Sequence, residues 1–109
     1  MRFENVHLES IGAEIPTEIW TSQAIEDRLE PLYSRLKLPQ GRLELMSGIA
    51  ERRVWPEGTV PSGPSIRSGN HALEAAGIDR ERIGCLIHAS VCRDFLEPAT
   101  ASRVHHGLG

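Results

Sequence analysis

The sequence predicts an α/β fold with parallel strand neighbours and crossover helices. Segments with strand-like and helix-like patterns alternate along the chain as β, α, short β, α, β, α, the order that such sheets require. The run Gly84 to Val91 (Gly-Cys-Leu-Ile-His-Ala-Ser-Val) is mostly apolar without clean alternation. That pattern fits a central strand covered on both faces. With 39% hydrophobic and 25% charged residues in 109, the composition is that of a globular domain and not of a disordered or collagen-like chain.

Phe3 to Ile11 mixes Val6, Leu8 and Ile11 with Asn5, His7 and Glu9, and reads as a first strand ended by Pro16. Thr21 or Ser22 can cap the next element, with Glu26 and Asp27 in its early turns. Ile25, Leu29, Leu32, Tyr33 and Leu36 then recur at helical spacing, and Pro31 inside that pattern should kink or split the helix. A short segment from Gly41 to Ser47 leads into Gly48-Ile49-Ala50-Glu51-Arg52-Arg53-Val54-Trp55, which reads as a turn into a short extended stretch. Three prolines and two glycines make Pro56 to Pro64 a surface loop. Ser62 or Ser65 starts a helix through Ala76, with Ile66, Leu73 and Ala76 inward and Gly77 as its stop. Ile78 to Ile83 is a polar connector. After the Gly84–Val91 strand and a loop over Cys92 to Leu96, Pro98 is placed as the first residue of a helix carrying Ala99, Ala101, Ser102 and Val104 towards His105 and His106.

The formal charge of −3 gives no electrostatic footprint for nucleic acid and no basic block for a membrane surface. No stretch approaches the apolar length of a membrane span. Met1-Arg2-Phe3-Glu4 shows no signal-peptide pattern. Cys85 and Cys92 form neither a disulfide framework nor a zinc spacing, so they read as reduced thiols packed as small hydrophobes. A soluble, cytoplasmic protein without a resident cofactor or metal is expected. One good strand, one moderate strand and one short one make a sheet too small to cover its own faces. Residues 1–109 are therefore expected to be the incomplete N-terminal part of a larger domain, exposing apolar surface on their own.

Several segments, in order, carry a family resemblance. These are Gly48 to Trp55, Ala72-Leu73-Glu74-Ala75-Ala76-Gly77-Ile78, Ile83-Gly84-Cys85-Leu86-Ile87, Ser90 to Ala101 and Leu108-Gly109. They resemble the N-terminal part of the ketoacyl-ACP synthase III proteins of the thiolase superfamily. The stretch Arg93-Asp94-Phe95-Leu96-Glu97-Pro98-Ala99-Thr100-Ala101 looks most like the OleA branch, which joins two fatty acyl-CoA thioesters head to head. The resemblance implies a five-layered α/β/α/β/α fold when complete, a homodimer, and acyl-CoA or acyl-ACP thioesters as substrates. It also implies a nucleophilic Cys just beyond Gly109, and a His and an Asn in a second half. None of that triad lies in this chain, and neither Cys85 nor Cys92 matches the nucleophile's position. A decarboxylating ketoacyl-ACP synthase III and a truncated chain with no catalysis of its own are the alternative functions.

Glu97 is the one candidate catalytic residue. Taken alone, it is an acid before Pro98 that adds charge at a helix start. Within the resemblance, it stands where the ordinary synthases place an apolar residue reaching into the partner's acyl pocket. A decarboxylating synthase obtains its carbanion by losing CO2. Joining two plain acyl thioesters instead requires a proton to be taken from an α-carbon by a positioned base. A carboxylate desolvated in an apolar pocket becomes more basic, so Glu97 is expected to act as general base in the partner subunit's active site.

The resemblance also places Arg42 and Met46 where the ordinary synthases carry a Trp and an Arg that sandwich the CoA adenine. Met46 cannot supply a guanidinium, which favours the long-chain acyl branch. Trp55 reads as core or interface, and His88 as a hydrogen-bonded core histidine. His105 and His106, about 100° apart on a helix, do not share one ion easily. Arg52 and Arg53 could meet CoA phosphates, although pairing with Glu51 or Glu57 is the simpler expectation. Arg93 and Asp94 read as a structural pair near the dimer interface.

Overall fold

The computed structural model describes residues 4–109, which fall into two units, 15–57 and 4–14 with 58–109.

The first unit is built on a strand pair. β1 (Glu18–Thr21) and β2 (Glu51–Val54) run antiparallel, with Glu18 opposite Val54 and Thr21 opposite Glu51. β2 falls inside the extended stretch expected after Gly48. β1 lies where no strand was expected, and the antiparallel pairing replaces the parallel neighbours that the alternation suggested. Thr21 ends β1 and caps α1 (Ser22–Arg28), its Oγ1 accepting from the Ala24 amide at 3.0 Å. The Arg28 guanidinium lies 3.7 Å over the Trp20 ring, tying the end of α1 back to the strand. Leu29, at φ −94° and ψ 8°, breaks the helix, and Pro31 opens α2 (Glu30–Leu36). The expected split therefore occurs. α3 (Arg42–Ser47) is bracketed by Gly41 and Gly48, both left-handed.

The second unit packs two helices. α4 (Ser62–Ala76) ends at a left-handed Gly77 whose amide reaches Leu73 and Glu74, as expected. One 3-10 turn, Arg80–Arg82, follows. α5 spans Thr100–Leu108, so Pro98 sits before the helix and not as its first residue. α4 and α5 approach through glycine. Gly69 faces Leu108, and a Cβ on Gly107 would run into Ile66. Val104 is 3% exposed at this contact. Residues 4–14 lie along α4, where Ser10 Oγ donates to the Ala72 carbonyl at 2.7 Å and Arg67 Nε donates to Glu14 at 2.7 Å.

Two expected strands are not strands here. Phe3 lies outside the described residues, and residues 4–11 pair with no strand among them, leaving Val6, Leu8 and Ile11 exposed. Residues 84–91 are likewise unpaired among the described residues, with Ile87 88% exposed. An apolar run becomes a strand only when a neighbour satisfies its N–H and C=O groups. Consistent with that unpaired state, Tyr33 and Val104 are the buried hydrophobic side chains among the described residues. Cys85 and Cys92 are free and exposed, not packed into a core. No helix of the described residues is long and apolar enough to cross a membrane.

Candidate functional site

Each unit contains a carboxylate that caps a helix from a distance. α3 has no side-chain cap of its own, and its orphan amides are met by Glu26, which is fully buried. The Gly41 and Leu43 amides each donate to this carboxylate at 2.6 Å, and Tyr33 Oη donates at 3.0 Å. Glu26 therefore serves α3 and not the early turns of its own helix. The Leu43 N–H bond lowers its pKa against the opposing effect of burial, with the Gly41 and Tyr33 bonds adding to the lowering. Burial and the adjacent Glu26 carboxylate raise the Tyr33 pKa.

In the second unit, α4 also lacks a side-chain cap. The Ser62 amide in its first turn donates to Asp94 Oδ1 at 3.0 Å, and Arg103 Nη1 lies 3.3 Å from Asp94 Oδ2. The Asp94 partner is thus Arg103 on α5, not the adjacent Arg93. Burial alone would raise the Asp94 pKa. Hydrogen bonding from Ser62 and the charges of Arg103 and His88 outweigh it, and the carboxyl is held below the ordinary aspartate value. The Asp94 amide in turn donates to Thr100 Oγ1 at 3.0 Å, and Arg103 Cζ lies 5.5 Å from the Phe95 ring centroid.

These contacts fix both feet of the loop that carries Glu97. The Glu97–Pro98 peptide is cis, and Glu97 is exposed. Its side chain borders an open hollow of about 310 Å³ shared with His88, Ser90, Cys92, Arg93 and Phe95. His88 is half-buried, and its Nε2 lies 3.2 Å from Ser65 Oγ, in line with a hydrogen-bonded histidine. An exposed carboxylate on a tethered loop can accept a proton from a molecule brought against it. Sequence reasoning missed the Asp94–Thr100 clasp; its one signal was the hydroxyl of Thr100 after Glu97, since the donor at 94 is a backbone amide.

The other expected residues lie apart from this loop. Arg42 and Met46 are both exposed on α3, Met46 at 72%. Arg52 donates to Ser22 Oγ at 2.9 Å, and Arg53 to the Thr17 carbonyl at 3.3 Å. Arg52 also reaches Ser47 Oγ at 3.5 Å, so the pair meets the start of α1, the end of α3 and the residue before β1, not Glu51 or Glu57. Trp55 is half-buried. His105 borders a mainly apolar hollow of about 290 Å³ with Leu73, Ile83, Leu86 and Leu108.

No protein-family model matches the chain. Individual relatives do. It is 38% identical, over all 109 residues, to an acyl-CoA:acyl-CoA alkyltransferase from Shewanella oneidensis, covering 31% of that protein. It is 40% identical over 98 residues to a beta-ketoacyl-[acyl-carrier-protein] synthase III from Bradyrhizobium diazoefficiens, covering 90% of this chain and 28% of the relative. The crystal structure of a 3-oxoacyl-(acyl carrier protein) synthase III from Xanthomonas oryzae matches with a TM-score of 0.89 at 38% identity, over 100% of this chain and 32% of the other. A glutamate-to-glutamine variant of Xanthomonas campestris OleA matches at 0.87 and 37% identity, over 97% and 31%. The chain thus spans about a third of the length of the curated relatives it matches. Its fold is a part of the thiolase-like α/β fold of these structures, and the chain belongs to the ketoacyl-ACP synthase III and OleA family of the thiolase superfamily.

Proposed function

We propose that residues 1–109 are the N-terminal part of an OleA-type enzyme that condenses two fatty acyl-CoA thioesters without decarboxylation. Glu97 is its general base, acting in the active site of the partner subunit of a cytoplasmic homodimer. The observation that carries this reading is an exposed carboxylate on a tethered loop, in a chain 38% identical over its whole length to acyl-CoA:acyl-CoA alkyltransferases. The unpaired segments 4–11 and 84–91 support the incomplete domain, because their apolar residues lack the strand neighbours that a larger sheet would supply.

In this reading, a cysteine thiolate supplied by the rest of the enzyme attacks the first acyl-CoA and releases CoA. Glu97 then removes an α-proton from the second acyl-CoA. The resulting carbanion attacks the enzyme-bound acyl group and expels the thiolate, leaving a β-ketoacyl-CoA that keeps every carbon of both chains. The partner's surface supplies what the isolated loop lacks. Covering Glu97 removes water, which raises its basicity and strengthens its pull on the α-proton.

The similarity to beta-ketoacyl-[acyl-carrier-protein] synthase III favours a decarboxylating reaction as the second reading. Product analysis on the complete enzyme separates them. Given two fatty acyl-CoAs and no malonyl donor, the first reading predicts a β-ketoacyl product with no CO2 released. A requirement for a malonyl thioester supports the second. No condensation with either donor supports a chain without catalysis of its own.

A further inference from the structure

We propose that Asp94 and Thr100 are positioning residues that set the position of the Glu97 carboxylate; this rests on Glu97 being the base. The loop between them has two ends and little else to hold it. Phe95, Leu96 and Glu97 are all exposed, and no backbone–backbone hydrogen bond joins 94–98 to another segment among the described residues. Its closure is the Asp94 amide donating to Thr100 Oγ1 across six positions, at 3.0 Å. Thr100 is buried at the first turn of α5, 6% exposed, so the acceptor is held by the helix. Asp94 is anchored in turn, its buried carboxylate taking the Ser62 amide of α4 and facing Arg103 of α5. Both helices thus grip one residue, and Arg103 also lies over Phe95 inside the loop. Glu97 itself has no hydrogen-bond or ionic partner among the contacts of the described residues, so the position from which its carboxylate reaches out is set by its backbone, held at these feet.

A base works only within hydrogen-bond reach of the proton it takes, and a displacement of about 1 Å costs on the order of a hundredfold in rate. Loosening the clasp should therefore lower turnover in condensation without changing affinity for acyl-CoA or the acylation of the nucleophile.

The test uses the complete enzyme with Thr100→Val, which keeps the shape and removes the acceptor, and Thr100→Ser, which restores it. The expected result is a loss of about a hundredfold in condensation kcat for Thr100→Val. KM and the rate of cysteine acylation should be unchanged, and Thr100→Ser should be close to the parent. Asp94→Asn leaves the amide bond to Thr100 in place and removes the charge facing Arg103, so it tests the anchoring of the same foot if Thr100→Val does not fold. Glu97→Gln is measured beside them. If it abolishes condensation while Thr100→Val turns over normally, the positioning role is wrong and the base stands. Acylation lost in parallel with condensation, or Thr100→Ser as impaired as Thr100→Val, also overturns the positioning role. Normal condensation by Glu97→Gln removes the base and the positioning role together.

Discussion

Glu26 and Tyr33 meet across the break between α1 and α2, hydroxyl to carboxylate at 3.0 Å, with both side chains buried. The same carboxylate holds two amides at the start of α3, so one acid joins three helices of its unit. Glu26→Gln retains one acceptor and loses the charge. It should expose the Gly41 and Leu43 amides to faster hydrogen exchange. Tyr33→Phe, which removes only one of the three donors, should have the smaller effect on the same two amides.

Acid should weaken both capping carboxylates. The folded pKa values of Glu26 and Asp94 lie below their ordinary values of 4.5 and 3.8. Their stabilising contribution is therefore complete above those values and is lost as pH falls through the lower folded ones. Thermal unfolding followed by circular dichroism should show a flat midpoint near neutral pH and a decline below pH 4.5. In Glu26→Gln, the part of the decline due to this residue should disappear. The Tyr33 pKa is raised, so its contribution has the opposite sign and is lost only as pH rises above 10.

Thr21→Ala removes the acceptor for the Ala24 amide and should cost about 1 kcal/mol in urea unfolding. Thr21→Ser should recover most of it.

Two glycines differ in what surrounds them. A Cβ on Gly12 would meet the backbone of Ser68 and Ala72 in α4, whereas one on Gly107 would meet the Ile66 side chain. A helix backbone cannot step aside, so Gly12→Ala should cost about 3 kcal/mol. Ile66 can shift, and alanine gains about 0.8 kcal/mol over glycine within a helix. Gly107→Ala should therefore be the milder change, and Ile66→Val should relieve it in part, by removing the Cδ1 it would meet most closely. A double-mutant cycle reads that coupling directly.

α1, α2, α4 and α5 were legible in the sequence because their causes are local, whereas α3, read only as a short segment from Gly41 to Ser47, draws its cap from the distant Glu26. The spacing of Ile25, Leu29, Leu32, Tyr33 and Leu36 with Pro31 among them contains both α1 and α2 and the break between them. Gly77 marks the end of α4 by the conformation it alone adopts cheaply. Strands depend on a partner, and there the reading failed. β1 is four residues whose partner lies 30 or more positions away, while residues 84–91 have the pattern of a central strand and no neighbour. The site divides in the same way. Glu97 is the candidate base through the family resemblance alone, and the structure shows an exposed carboxylate. Asp94 was assigned to Arg93 beside it, when its contacts are with Ser62 and Arg103, which only folding brings near.

Apolar side chains left uncovered should act as a sticky surface. The 109-residue chain should bind a hydrophobic dye, and Ile87→Lys, at a position 88% exposed, should reduce the signal. Dye binding unchanged in Ile87→Lys would place the sticky surface elsewhere.

Loss of the α-hydrogen tests the role of Glu97 most directly. The complete enzyme, first acylated on its nucleophile, is given a second acyl-CoA carrying deuterium at its α-carbon. The parent should release that deuterium to water as condensation proceeds. Glu97→Gln should acylate fully yet retain the label and form no product. Deuterium released by Glu97→Gln at the parent's rate would contradict the account.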